Sequence, residues 1–293
     1  MAGKLTSDKH MSASRLPGLL GFSRYATPND ELQYSINAID GKERLDLLVS
    51  NQAMQWGNHL EPIVLTQAAA RLGLDEFDTE IKQAFSHESV PISCSLDGIG
   101  IGNGQTIVTN TKEGIYVIGQ DSIVLSGPGT LEAKVTKAMP EEVPHLARGV
   151  IQLQGQLLIT GHKWGAVCVL YQGIELRVFL FAVHYETQKE IIKATLEFQS
   201  KLDKYAKTGE IDWYPPASSK ELDRIYPHAA GKEEIELPVN VTDLAKGILE
   251  NKAAIRAAEA SIETAEMLIK STLGQAERGR CGQYVISWPM RNF

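Results

Sequence analysis

Apolar residues recur at helical spacing through residues 144–160. At about 100° per residue, Ala147, Val150, Ile151, Leu157, Leu158 and Gly161 fall within a third of a turn of Gln154, whereas Gln152 and Gln156 point the other way. Pro144 suits the first turn of such a helix and Gly161 its close. Further helices are expected over residues 40–73, 187–207 and 241–273. Pro62 should kink the first of these or begin a second segment, and a Ser-rich helix start at 11–21 closes at Gly21. Short apolar runs bounded by Gly and Asn predict strands at 90–101, ending at Asp97-Gly98, and at 106–109, 114–119, 122–125 and 130–136. Two more, 164–171 and 174–184, turn at Gln172-Gly173. Residues 75–87 read as a polar connection or short strand, 226–234 as a linker and 284–288 as a closing strand.

With 293 residues the chain can hold one large domain, or one domain with an appendage. A 43% hydrophobic and 22% charged composition is that of a globular protein, and no apolar run nears the length of a membrane span. Residues 1–9 contain no apolar signal region, which gives the expectation of a cytoplasmic protein without membrane association. Cys94, Cys168 and Cys281 lie far apart with no C-x-x-C, against zinc, an iron–sulfur cluster or a disulfide framework. The net charge of −7 does not exclude a nucleic-acid partner, because phosphate contact needs only a local basic surface. Lys4, Lys9, His10, Arg15 and Arg24 cluster near the start, and Lys134, Lys137, His145 and Arg148 lie around the candidate chemistry.

That chemistry begins with Leu131-Glu132-Ala133-Lys134. Residues i and i+2 of a strand share a face, so Glu132 can bind a hard cation while Lys134 reaches water or phosphate. Asp97 supplies a second carboxylate, and Mg²⁺ needs only one or two beside water and substrate oxygens. Each residue alone has an ordinary reading: Glu-x-Lys as a solvated strand face, Asp-Gly as a turn, Glu61 and His59 as helix surface. Gln154, a polar amide on an apolar stripe, must find a buried partner or line a site. The order of parts shifts the balance: Glu61 on a helix, Asp97 after a strand, Glu132 and Lys134 on a strand, Gln154 on the next helix.

In that order the chain resembles the PD-(D/E)XK nucleases, and among them the lambda-type phage exonucleases, or YqaJ-like viral recombinases. The resemblance rests on Ser12-Ala-Ser14-Arg15 with Leu20-Gly21, Trp56-Gly57-Asn-His-Leu-Glu61-Pro62, Ser95-Leu-Asp97-Gly98, Leu131-Glu132-Ala-Lys134 and residues 152–161. It implies an α/β fold, a restriction-endonuclease-like mixed β-sheet flanked by helices over residues 1–226, with a linker, C-terminal helical extension and closing strand over 227–293. It implies a Mg²⁺-dependent 5′→3′ exonuclease on linear double-stranded DNA, with two ions and Mn²⁺ able to substitute, leaving 3′ overhangs for recombination. Asp97, Glu132 and the Ala133 carbonyl resemble the metal ligands, with Glu61 near a second ion. Lys134 resembles the residue that orients or deprotonates the attacking water, and Gln154 the one that positions it. Ser14, with Ser12, Arg15 and Lys9, resembles the group that holds a 5′-phosphate, although Ser7 stands where the family usually has Arg. Implied partners are DNA ends, a single-strand annealing recombinase and further copies in a ring trimer, in the cytoplasm of a bacterial host. The alternatives are an endonuclease of the same fold and a non-catalytic DNA-end-binding protein.

Overall fold

The chain enters its first unit by β1 (Met11–Ser12), a 3-10 turn at Ala13–Arg15 and α1 (Leu16–Leu19). Residues 11–21 therefore form no Ser-capped helix: Ser12 is extended and caps nothing with its side chain. The helix α2 (Pro28–Ile39) has a complete capping box, Thr27 accepting from the Asp30 N–H and Asp30 from the Thr27 N–H, with Pro28 at its first position. α3 (Gln52–Leu72) continues through Pro62, so no second segment begins there. Val64, Leu65, Ala68, Ala69 and Leu72 are buried in the main core, and that burial outweighs one missing backbone donor.

The computed structural model describes residues 5–42, 52–226 and 234–287, and these fall into two units divided after residue 227. Residues 43–51, 227–233 and Trp288 of the expected elements lie outside the described residues. Strands β2 (Glu76–Asp78), β3 (Phe85–Ser86), β4 (Ile92–Cys94), β5 (Gly98–Val108), β6 (Ile115–Val117) and β7 (Ser122–Thr136) follow α3. Then come α4 (Ile151–Thr160), β8 (Trp164–Tyr171), β9 (Glu175–Ala182), α5 (Tyr185–Thr208) and α6 (Ser219–Ile225). The six-stranded sheet has the order β2-β5-β7-β8-β9-β6 and is mixed: β7–β8 and β6–β9 are parallel, the other pairs antiparallel.

The single strand expected over 90–101 is two strands in different sheets. β4 belongs to a small sheet of order β1-β4-β3, β5 to the large one, and residues 95–97 carry the chain between them. The expected pieces 106–109, 122–125 and 130–136 belong to two long strands, β5 and β7, paired from Gly98↔Leu131 to Val108↔Ser122 with a register shift at Asn103/Gln105. Alternation then sorts the core. Trp164, Ala166 and Cys168 of β8 pack with α3, whereas Val167, Val169 and Tyr171 pack with Val150, Leu153 and Leu157 beside α4. Helices α1, α2 and α5 and the small sheet share a further core containing Met11, Leu32, Ile36, Ile191 and Phe198. The result is a mixed β-sheet flanked by helices, the α/β core expected from the sequence.

The second unit is α7 (Asn240–Leu273) and a hairpin of β10 (Arg278–Cys281) and β11 (Tyr284–Ser287), turning at Gly282 with φ +56°. The pattern marks α7 and β11 but not β10, whose Arg-Gly-Arg-Cys sequence carries no apolar alternation. Among the described residues, no helix is long and apolar enough to cross a membrane.

Candidate active site

Strand alternation on β7 places the central pair. Leu131 and Ala133 enter the core shared with α3, so Glu132 and Lys134 emerge on the α4 side. Glu132 is wholly buried, and its two oxygens are taken by the Lys134 ammonium and by Gln156 Nε2 at 2.7 Å. Asp97 immediately precedes β5, and because Gly98 pairs with Leu131, the Asp97 carboxylate reaches β7 and accepts the Ala133 N–H at 2.9 Å. Gly98 eases this approach: a Cβ would lie tightly, 3.1 Å from both the Asp78 carbonyl and Leu65 of α3. Glu61 sits one turn N-terminal to the buried stripe of α3 and is half-buried.

The electrostatics join these groups. Burial raises the Asp97 carboxyl well above its ordinary value, Glu132 and Glu61 raise it further, and Lys134 and the Ala133 N–H act against the rise. Glu61 is raised by burial and by Glu132, and lowered by Lys134. Burial works against the Lys134 charge, yet Glu132, Asp97 and Glu61 outweigh it and hold the ammonium above the ordinary lysine range.

Gln154 is not at this cluster. Its Nε2 donates to the Ala182 carbonyl at 2.9 Å and its Oε1 accepts the His184 N–H at 2.9 Å, tying α4 to the start of α5. Gln156 instead meets Glu132 and the Ser95 carbonyl, and it is fully buried. The pattern missed this because α4 is packed on two sides, Ile151 in the core shared with α1, α2 and α5 and Leu153 and Leu157 in the core on the sheet. A wide turn at Leu146–Val150 leaves helical geometry at Arg148 and at Gly149, where φ is +86°, and α4 starts only at Ile151. A side chain on Gly149 would meet Val167, Glu132 and Lys134, so only glycine lets the turn pass over the pair. The Arg148 guanidinium braces the turn through Glu141 and Thr136. Helix α4 is thus packed on two sides, and an amide on either side is buried. Gln156→Leu is expected to lower any cleavage rate about 10–100-fold by freeing a Glu132 oxygen. Gln154→Ala is expected to cost about 1–3 kcal/mol of stability with little effect on rate. Thermal melts and single-turnover rates of both variants check the split.

Ser14 is exposed and lines a cavity of about 420 Å³ together with Glu61, Ser95 and Asp97; its Oγ lies 3.2 Å from that of the buried Ser12. Arg15 does not join them. Its guanidinium is buried against Glu31, with Nε 2.6 Å from the carboxylate, and it also donates to Ser35 and to the carbonyls of Asp8, His10 and Glu31. Lys9 is exposed and does not line the cavity; among the described residues the lysine that does is Lys82, which the sequence reading passed over.

A family model described as the YqaJ-like viral recombinase domain matches residues 6–163, a stretch that contains Ser14, Glu61, Asp97, Glu132, Lys134 and Gln156. The chain belongs to that family. Two crystal structures of LHK-Exo, an alkaline exonuclease from Laribacter hongkongensis, are similar to it. The one in complex with dAMP is 17% identical over 69% of this chain and 93% of that chain, with a TM-score of 0.48. The other is 16% identical over 69% and 94%, with a TM-score of 0.49. The crystal structure of SSO0001 is 13% identical over 67% and 78%, with a TM-score of 0.37. No curated protein matches the chain.

In this YqaJ-like chain, among the described residues, no group of three or more His, Cys, Asp or Glu side chains converges as a metal cage. Mg²⁺ needs none, because it retains water and substrate oxygens in its shell. The donors present are hard oxygens, and Asp97, Glu132 and Glu61 outnumber the one lysine among them. Gln156 Oε1, buried beside Glu132, has no hydrogen-bond partner among the described residues, which leaves an acceptor for a water at the same place. Carboxylate oxygens are the hard donors that Mg²⁺ takes.

Proposed function

We propose that the chain is a divalent-cation-dependent deoxyribonuclease that digests linear duplex DNA from the 5′ end and leaves a 3′ single strand for annealing by a recombination partner. The observation that carries this reading is the Asp97–Ala133 N–H bond, which fixes one carboxylate beside the buried Glu132 and Lys134 in a chain of the YqaJ-like family. Asp97, Glu132 and the Ala133 carbonyl would hold Mg²⁺ or Mn²⁺, with Glu61 beside them, and the cation would supply Lewis-acid activation of water and charge for the leaving oxygen. Lys134, kept charged by three carboxylates and about a third exposed, draws a phosphate oxygen or orients the attacking water. Gln156 holds Glu132 in place. A gel of linear, nicked and closed circular duplex, with Mg²⁺ and with chelator, tests the reading. Loss of linear duplex alone, blocked by chelator, is expected; cutting of closed circles would make the chain an endonuclease.

Ser14 in the cavity with Asp97 supports its role as the hydroxyl that meets a terminal phosphate. Ser14→Ala is expected to slow digestion of 5′-phosphorylated ends and to leave 5′-hydroxyl ends nearly unchanged. Equal slowing of both would remove Ser14 from the site.

A further inference from the structure

The helix α7 carries a seven-residue repeat of apolar positions. Val241, Ile248, Ile255, Ile262 and Ile269, all β-branched, stand seven residues apart, and Leu244, Asn251, Ala258 and Ala265 stand three residues after the first four. This is the a/d pattern of a coiled coil. Within its own unit no residue of the 34-residue helix is buried, and Leu244, Ile248, Ile255 and Ile262 are each more than half exposed there. A single helix with a short hairpin cannot bury such a seam by itself.

We propose that α7 pairs with α7 of a second copy as an antiparallel two-stranded coiled coil. Side-chain size favours the antiparallel direction. A parallel pair would stack Ile on Ile at one layer and Ala on Ala at the next, leaving space at every small layer. In the antiparallel pair a twofold axis between residues 256 and 257 sets Ile255 against the second copy's Ala258 and Ile248 against its Ala265. Leu244 meets Ile269 in the same register, and Asn251 faces Ile262 rather than another Asn.

Charge agrees with size. Reversal of one helix brings the two e flanks together. Lys252 then lies two residues, about 3 Å along the axis, from the second copy's Glu259, and symmetry makes that contact twice. The parallel alternative would place Lys252 and Glu259 against Gly247 and Ala254, which carry no charge. On the opposite flank Gly247, Ala254 and Ser261 are small enough to let the helices approach. One self-complementary arrangement therefore satisfies large, small, positive and negative positions together, which identifies a second copy of this chain as the occupant.

Sedimentation of the full chain at micromolar concentration tests this. The wild type is expected to self-associate. Lys252→Glu and Glu259→Lys, both at exposed positions, should each weaken association roughly tenfold, since attractive contacts become repulsive ones, and the double reversal should restore it. Orientation is read by mixing Leu244→Cys and Ile269→Cys chains in a Cys281→Ser background, because Cys281 is exposed. Disulfide-linked heterodimer is expected. A monomeric wild type, an association that charge reversal leaves unchanged, or efficient cross-linking of Leu244→Cys to itself would overturn the proposal.

Discussion

Asp97→Asn is expected to abolish cation-dependent DNA cleavage while raising the melting temperature of the cation-free protein. The asparagine Oδ1 can still accept the Ala133 N–H, so the strand contact survives. What disappears is one of three mutually repelling carboxylates. Burial, Glu132 and Glu61 hold the Asp97 carboxyl well above its ordinary value of 3.8. A carboxyl whose folded pKa lies above its unfolded one binds more protons in the native state, so ionisation costs stability as pH rises from the unfolded pKa through the folded one. The cation-free wild type should therefore lose stability across that window, and Mg²⁺ should raise its melting temperature more at neutral pH than at acid pH. Asp97→Asn should show neither the pH loss from this group nor the Mg²⁺ gain. Its cleavage rate, and that of Glu132→Gln, should fall roughly a thousandfold or more, about 4 kcal/mol of transition-state stabilisation. Thermal melts with and without Mg²⁺ at two pH values, beside single-turnover cleavage, check each part. Wild-type cleavage by Asp97→Asn would remove it from the site.

Arg15→Ala is expected to damage the fold rather than end recognition. The guanidinium and Glu31 are both buried, and removing Arg15 takes a positive charge away from a carboxylate in the core. Such a break costs about 3–5 kcal/mol. At about 2–4 °C per kcal/mol for a unit of this size, the melting temperature should fall roughly 6–20 °C. Gly18 shows how closely the carboxylate is packed, since a Cβ there would collide with it. Replacing both partners by apolar residues, Arg15→Met with Glu31→Leu, should recover much of the loss. The ratio of rates on 5′-phosphate and 5′-hydroxyl ends should stay unchanged in whatever folded Arg15→Ala protein can be assayed. A normal melting temperature with loss of phosphate preference alone would return Arg15 to the DNA site.

These two residues mark where local pattern and three-dimensional packing part company. Sequence alone determined what depends on near neighbours. The Gln172-Gly173 turn between β8 and β9, the helices at 187–207 and 241–273, and the shared face of Glu132 and Lys134 all follow from backbone preference or from a period of two or 3.6. Helix α2 was not among the expected elements: it ends at Ile39, before the helix range that the apolar pattern marked, although Thr27 and Asp30 cap its start. Only the tertiary structure decided which long-range partner each polar group meets. Arg15 lies next to Ser14 in sequence, yet one faces Glu31 and the other the cavity. Gln154 meets Ala182 and His184 while Gln156 meets Glu132, because α4 is packed on both sides and either amide finds a buried partner. Residues 95–97 pass between two sheets because their flanking strands find different partners. Periodicity fixes how a residue points within its own element; the burial of whole elements against one another fixes what it points at.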